Sequence, residues 1–198
     1  MRQIILASTS PYRTALLKKT HISFQNEKPA IDEDQLKQKL ISEKKTPLEI
    51  AENLSLAKGQ SIHSKHPEDI IISGDQLIDF QGQIIGKPHT IENAINQLTL
   101  MNNQKFRLIT ATTILYKEQV FRDLNITQFH MRNLTKNEIQ EYIKIDNPLD
   151  CAGSCKIEDH GITLFSQIEC SDFTAIQGLP VIWTTSKLKE LGYELFKK

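Results

Sequence analysis

Apolar and polar positions along the chain alternate between short apolar runs and amphipathic stretches. The first apolar run, residues 3–6, is followed by a helix-forming segment with Ser10 as its N-cap and Pro11 as its first residue. Residues 46–49 and 135–138 both have the Thr-x-x-Glu pattern of a capping box, which marks a helix start. Strand signals that alternate with helix signals predict an α/β domain.

The remaining apolar runs predict further strands and helices. Strands are predicted at residues 3–6, 21–26, 69–73, 107–116, 120–131 and 162–165, with a hairpin turn at residues 81–82. Helices are predicted at residues 11–19, 46–65, 135–145 and 181–191, and another begins after Thr90. Residues 27–45 show no clear preference. The strand at residues 69–73 is expected to end just before Gly74-Asp75-Gln76.

Composition and charge narrow the function classes. The chain has 198 residues and no linker-like tract, which predicts one domain over residues 1–198. Its 24 basic and 24 acidic side chains balance, which predicts no nucleic-acid partner. No apolar run approaches the roughly 18 residues of a membrane span, and the run after Arg2 is too short for a signal peptide. Three cysteines, an odd number, favour buried free thiols and a cytoplasmic location. Cys151 and Cys155 lack the neighbouring His of a zinc site.

The stretch Leu6-Ala7-Ser8-Thr9-Ser10-Pro11-Tyr12-Arg13 is the first candidate for chemistry. Small hydroxyl residues between a strand and a helix leave backbone N–H groups free, and a helix N-terminus near an arginine suits a phosphate group. The alternative is that Ser10 and Pro11 only begin the helix.

Four charged residues further along the chain are the other candidates. Asp75 follows a buried strand, Glu33 lies in an acidic run, Lys58 lies at the edge of an apolar helix stripe, and Lys87 lies in a Gly-Lys-Pro loop. Each residue also has an interpretation that involves no chemistry. Asp75 would be a turn carboxylate, and Glu33 would belong to a solvated face. Lys58 would extend to solvent, and Lys87 would be an ordinary loop lysine. Together, two carboxylates for a hard cation and the basic residues for a polyphosphate suit metal-assisted attack on phosphorus.

Seven segments in this order give the chain a family resemblance. They are LASTSPYRTALL, DED, LAKGQS, SGDQ, GKP, DCAGSCKIEDHGITLF and GLP. The chain thereby resembles the Maf family of nucleoside triphosphate pyrophosphatases from Leu6 to Leu191. The resemblance implies an elongated mixed β-sheet flanked by helices with a central cleft, like that of inosine triphosphate pyrophosphatases. It also implies cleavage between the α and β phosphates with a divalent cation, Mg²⁺ or Mn²⁺, to give a monophosphate and diphosphate.

The same resemblance assigns roles to the candidate residues. Asp75 would accept the proton of the attacking water, and the alternative from the residues alone is that Asp75 is chiefly a metal ligand. Glu33 would complete the metal site with Asp75. The phosphate-binding residues would be Ser8, Ser10, Arg13, Lys58 and Lys87.

Within the family, the chain resembles the branch that acts on 7-methyl-GTP. Tyr12 and Glu158 replace an arginine and a glutamine of the UTP/dTTP branch, and Gln76 follows the catalytic-type aspartate as in the 7-methyl-GTP branch. Methylation at N7 makes guanine cationic, so an aromatic ring can stack on the base and a carboxylate can offset its charge. The alternative for Tyr12 is an ordinary half-buried aromatic residue.

Two departures and two alternative functions stay open at this point. Thr110-Ala111 stands where the family often has Thr-Gly, and Cys151 stands where the UTP/dTTP branch has lysine. The alternatives are a UTP/dTTP pyrophosphatase and a nucleotide-binding regulator of septum formation. The oligomeric state is also open, although homodimers are common for such folds.

Overall fold

The computed structural model describes residues 2–196. The helices of this part of the chain are α1 (Pro11–Lys19), α2 (Glu33–Ser42), α3 (Pro47–His63), α4 (Ile91–Met101), α5 (Lys136–Asp146) and α6 (Val181–Glu190). The strands are β1 (Ile4–Ala7), β2 (Gln25–Glu27), β3 (Ile70–Phe80), β4 (Gln83–Ile85), β5 (Lys105–Tyr116), β6 (Gln119–Met131) and β7 (Phe165–Glu169). Short 3₁₀ helices span Ala152–Ser154, His160–Leu164 and Phe173–Gln177.

The strands form one mixed sheet. Their order is β2-β1-β3-β5-β6-β7, and β4 pairs with β3. Strand β1 is parallel to β2 and to β3, whereas β4 and β7 are antiparallel to β3 and β6. A mixed sheet with helices between its strands confirms the predicted α/β class.

The chain divides into two compact units. The first contains the segment up to Gln76, Thr110–Asn125 and the segment from Asp172 onward. The second contains Leu77–Ile109 and Ile126–Ser171. Strands β3, β5 and β6 each contribute residues to both units. The single domain over residues 1–198 stays a prediction.

In the first unit, the two faces of the parallel strands are buried by different helices. Ile4 and Leu6 of β1, with Ile70 and Ile72 of β3, pack in a cluster that also contains residues of α1 and α6. The alternate side chains, represented by Ile5 and Ile71, pack with Ile62 of α3. Because side chains alternate along a strand, a parallel strand covered on both faces is a continuous apolar run. This covering explains the apolar run Ile70-Ile71-Ile72.

The second unit is held by aromatic packing and by an ion pair between a buried carboxylate and a partly exposed arginine. The rings of Phe106, Phe129 and Phe165 lie with centroids 4.6–5.9 Å apart. Asp79 is buried, and its Oδ2 accepts a hydrogen bond of 3.0 Å from Nε of Arg107. Such pairing satisfies a carboxylate that would be costly to bury alone.

Several predicted elements need correction. The strand predicted at residues 21–26 is limited to Gln25–Glu27, because His21 has a positive φ in the turn that ends α1. The strand predicted at residues 162–165 is a 3₁₀ helix up to Leu164, and β7 begins at Phe165. The ambiguous segment 27–45 contains α2, whose N-cap Asp32 accepts a hydrogen bond from the N–H of Gln35.

The structure also bears on the predictions for the cysteines and for membrane-spanning helices. All three cysteines are free thiols, as predicted, but Cys151 and Cys155 are only half-buried and Cys170 is exposed, so the expectation that they would be buried is wrong. Over residues 2–196, the helices lack the combination of length and apolar character that crossing a bilayer requires.

Candidate functional site

The loop between β1 and α1 brings three of the predicted phosphate-binding residues together. The Oγ of buried Ser8 accepts hydrogen bonds from the N–H of Ser10 at 3.1 Å and from Nη1 of Arg13 at 3.4 Å. The Oγ of Ser10 caps α1 by accepting the N–H of Arg13 at 3.4 Å. The N–H of Ser8 donates to Leu6. The N–H groups of Ser8 and Ser10 are therefore used inside the loop, contrary to the expectation that they would be free.

Lys58 lies between the two predicted metal-binding carboxylates. Its Nζ is 2.7 Å from Oδ1 of Asp75 and 2.6 Å from Oε2 of Glu33. Lys58 is only 6% exposed and Asp75 is equally buried. The lysine therefore does not extend to solvent, and it places both carboxylates within two hydrogen-bond lengths of each other.

Asp75 lies inside β3 and not at its end. In the parallel register, Ala7 at the end of β1 pairs with Ser73. Strand β3 continues for seven residues to Phe80, and Ile78 pairs with Ile85 of β4. The expectation that the strand ends before Asp75 is wrong, because residues beyond Ser73 find new partners in the sheet. Asp75 nevertheless lies just beyond the carboxyl end of β1, an edge where α/β sheets place ligands.

Arg13 is fixed against two glycines. Its Nε donates to the carbonyl oxygen of Gly178 at 2.8 Å. A Cβ at residue 178 would lie 3.2 Å from this Nε, and one at Gly74 would lie 3.6 Å from it. Gly178 also has a φ of +100°, which favours glycine. The sequence places Gly178 in the Gly-Leu-Pro segment just before the helix predicted at residues 181–191, and it does not indicate the contact with Arg13.

The side chains of this site carry equal numbers of positive and negative formal charges. Desolvation lowers the pKa of Arg13, whereas Asp75 and then Glu33 oppose that shift. The guanidinium remains charged, as arginine does throughout proteins. Arg13 and Lys58 therefore offset Glu33 and Asp75, and the site has no surplus positive charge for a triphosphate.

The two carboxylates fit a divalent cation that also binds phosphate oxygens. Oδ2 of Asp75 is buried and has no hydrogen-bond partner among the described residues. Within residues 2–196, no group of three or more His, Cys, Asp or Glu side chains is arranged to hold a metal ion. Mg²⁺ is commonly bound by one or two carboxylates, with phosphate oxygens and water completing its coordination. Glu33 and Asp75 supply two such carboxylates, with the ammonium of Lys58 in contact with both.

Glu33 also faces an open groove. It is the first residue of α2, and residues 28–34 line a groove of about 660 Å³. Its side chain is 51% exposed although it pairs with Lys58. The start of α2 therefore presents one carboxylate both to the buried lysine and to solvent.

Two of the predicted specificity residues lie in the same unit as Asp75. Tyr12 is 40% exposed on the first turn of α1. The side-chain nitrogen of Gln76 donates to Oγ1 of Thr110 and to the carbonyl oxygens of Ala175 and Ile176. The amide nitrogen of Gln76 is thus used in internal hydrogen bonds, which the sequence did not indicate.

Lys87 and Glu158 belong to the second unit. Both are exposed. Loss of solvation around its carboxyl raises the pKa of Glu158. The segment that contains Glu158 is anchored on α5, because Oη of Tyr142 accepts the N–H of Lys156 at 2.9 Å and Asp146 pairs with His160 at 2.7 Å. The roles of Lys87 and Glu158 stay predictions.

Open α/β sheets bind ligands beyond the carboxyl ends of their strands, and the hydroxyl groups, cations and carboxylates of this site lie beyond the carboxyl end of β1. The family model described as "Maf-like protein" matches residues 3–191. The chain belongs to the Maf family, and the resemblance stated from its motifs is confirmed.

Curated relatives cover nearly the whole chain. A protein of Bdellovibrio bacteriovorus named 7-methyl-GTP pyrophosphatase is 45% identical over 91% of this chain and 93% of its own length. Proteins of the same name from Hydrogenovibrio crunogenus and Xanthomonas axonopodis pv. citri are 40% and 37% identical over 98% of this chain, and over 94% and 100% of their own lengths. These relatives carry the name of the branch that the motifs predicted.

Proposed function

We propose that this Maf-family protein hydrolyses 7-methyl-GTP to 7-methyl-GMP and diphosphate. The observation that carries the proposal is the buried contact of Lys58 with Asp75 and Glu33, in the unit that also holds the capped start of α1 and Arg13. Support for the substrate comes from the relatives that carry this name at 37–45% identity.

Asp75 takes the proton of the attacking water in this proposal. Its Oδ1 is held by Lys58, and its buried Oδ2 has no other hydrogen-bond partner among the described residues. A fixed carboxylate with one free oxygen suits a general base, since its geometry is set before the substrate binds. Water then attacks the α-phosphorus, the bond to the bridging oxygen breaks, and diphosphate leaves.

Arg13, Ser8 and Ser10 bind phosphate oxygens at the start of α1. The helix N-terminus adds a favourable field for an anion. Because Nε of Arg13 donates to Gly178 and Nη1 donates to Ser8, the N–H groups of Nη2 and the second N–H of Nη1 are the ones left to face a phosphate. Lys58 contributes its charge from the buried side, and Lys87 of the second unit is proposed as a further phosphate ligand.

A divalent cation, Mg²⁺ or Mn²⁺, is part of the proposal. Glu33 and Asp75 would hold it, and its charge would offset the triphosphate that the neutral set of side chains leaves uncompensated. The free thiols support a reducing compartment, and we propose a cytoplasmic location.

Tyr12, Gln76 and Glu158 are proposed to set the choice of base. The exposed ring of Tyr12 offers a face for stacking on a cationic base. The carboxylate of Glu158 offsets a positive charge, which unmethylated guanine lacks.

The test is diphosphate release from 7-methyl-GTP, GTP, UTP, dTTP and ITP, with Mg²⁺, with Mn²⁺ and with chelator. We expect 7-methyl-GTP to give the highest kcat/KM and the chelator to stop turnover. Asp75→Asn is expected to lower kcat by at least about a hundredfold, the scale of general-base catalysis. Asp123→Asn is the control, because it neutralises a different carboxylate of the same unit, one that is partly buried. A preference for UTP or dTTP would overturn the proposed substrate, and an unchanged rate in Asp75→Asn would overturn the role of Asp75.

A further inference from the structure

We propose that Thr110 is a positioning residue for Arg13. Its hydroxyl holds the turn at residues 175–178, and this turn presents the Gly178 carbonyl that fixes the guanidinium. The inference rests on the proposed function in one respect, namely that Arg13 binds phosphate.

The hydroxyl of Thr110 both donates and accepts a hydrogen bond at one end of the turn. Thr110 is 1% exposed, and its Oγ1 donates to the carbonyl oxygen of Ala175 at 2.9 Å. The same Oγ1 accepts a hydrogen bond of 2.9 Å from Nε2 of Gln76. Nε2 of Gln76 also donates to Ala175 at 2.9 Å and to Ile176 at 3.1 Å. Two side chains of neighbouring strands therefore hold two successive carbonyl groups of the turn.

The other end of the turn holds Arg13. The N–H of Gly178 donates to the carbonyl oxygen of Ala175 at 2.9 Å, which closes the turn. The carbonyl oxygen of Gly178 accepts Nε of Arg13 at 2.8 Å. The chain of contacts runs from Thr110 to Ala175, then to Gly178 and to Arg13. Every residue in it belongs to the first unit.

Strand β5 supplies a matched control two residues further on. Thr112 is also 1% exposed, and its Oγ1 has no hydrogen-bond partner among the described residues. Replacement of Thr by Val removes a hydroxyl at nearly constant shape. Thr110→Val therefore removes a hydroxyl that holds the turn, whereas Thr112→Val removes a hydroxyl that does not.

Exchange of the Arg13 Nε–H proton with water, measured by ¹⁵N NMR, tests the positioning directly. Its signal is assigned by its loss in Arg13→Lys. We expect Thr110→Val to accelerate exchange by about tenfold, the scale of one lost hydrogen bond, while Thr110→Ser and Thr112→Val stay near wild type. If Thr110→Val does not fold, Gln76→Met removes the other side-chain donor to the turn, and its Arg13 exchange rate alone is compared with that of Thr112→Val, because Gln76 is also proposed to set the choice of base.

Steady-state kinetics with 7-methyl-GTP separate positioning from a general loss of structure. Thr110→Val is expected to raise KM about tenfold and change kcat by less than about twofold, with Thr110→Ser restoring the wild-type KM. Unchanged exchange in Thr110→Val, or an equal effect of Thr112→Val, overturns the inference. A wild-type protein that does not hydrolyse 7-methyl-GTP counts against the proposed function alone, because the exchange measurement does not depend on turnover.

Discussion

At the scale of single residues, Lys58 determines the electrostatics of the candidate site. The ammonium of Lys58 and the carboxylate of Asp75 are both buried, and each would be costly to bury without the other, whereas Glu33 pairs with the same lysine from a half-exposed position. Without Lys58, Asp75 would be a buried carboxylate with no close cation on Oδ1. The lysine is therefore required by the folded state itself, in addition to its proposed contact with phosphate.

Glu158 carries a prediction about the choice of base. We expect Glu158→Gln to lower the ratio of kcat/KM for 7-methyl-GTP to that for GTP by about tenfold, because a charge-assisted contact is lost. Loss of solvation raises the pKa of Glu158, so the wild-type ratio should fall as the pH drops through that raised value and the carboxylate gains a proton. In Glu158→Gln the ratio should not follow this titration.

Asp159→Asn is the control for Glu158→Gln. Asp159 is the adjacent carboxylate and pairs with Lys156 at 2.7 Å. A similar fall of the ratio in both variants would show that the local charge of the segment matters and that Glu158 has no particular role.

Side-chain identities alone predicted part of the site. The hydroxyl and charged residues of the first unit were named from the sequence, and Ser8, Ser10, Arg13, Glu33, Lys58 and Asp75 do lie together there. The contacts of Gly178 and Thr110 were not predictable, because they depend on a backbone carbonyl and on residues about 65 to 165 positions apart in sequence. Every residue has a backbone carbonyl, so the residue type does not show which carbonyl will accept a side-chain hydrogen bond.

At the scale of elements, helix starts were predicted better than strand ends. Both capping boxes, at Thr46 and Thr135, are present with reciprocal hydrogen bonds. A cap is a local feature of four residues, so the sequence contains what is needed to find it. The end of a strand depends on distant partners, which is why β3 extends past Asp75 and β2 is shorter than predicted.

The capping box of α3 carries a prediction about stability and pH. The N–H of Thr46 and then Lys45 lower the pKa of Glu49 from 4.5 to about 2. A carboxyl with a lowered pKa in the folded state stabilises the fold above its ordinary pKa, and this contribution is lost as the pH falls from 4.5 towards 2. Glu49→Gln should therefore lower the urea midpoint at pH 7, and its difference from wild type should narrow in this acidic range.

Urea unfolding at a series of pH values measures this effect. Glu52→Gln, in the same helix but outside the capping box, controls for the removal of one negative charge. A difference between Glu49→Gln and wild type that stays constant from pH 7 to pH 2 would contradict the assignment.

At the scale of the whole molecule, the balanced charge carries a prediction about partners. Equal numbers of basic and acidic residues give no overall field to attract a polyanion. We expect fluorescence anisotropy to detect no binding of a labelled single-stranded RNA or duplex DNA at about 0.15 M salt, where surface charges are screened beyond roughly 8 Å. Micromolar binding with a steep salt dependence would contradict this expectation, and 7-methyl-GTP serves as the competitor that distinguishes binding at the candidate site.

The path of the chain through its two compact units limits where the protein can be divided into fragments. The chain passes between its compact units four times, and three of these passages fall inside β3, β5 and β6 instead of in loops. No single break in the coding sequence yields either half as a continuous fragment, and a break at any of those three points severs hydrogen-bonded backbone. Truncation to the unit that contains Asp75 should therefore give insoluble product. Exchange of the second unit between homologues would require all four chain connections between the units to be compatible.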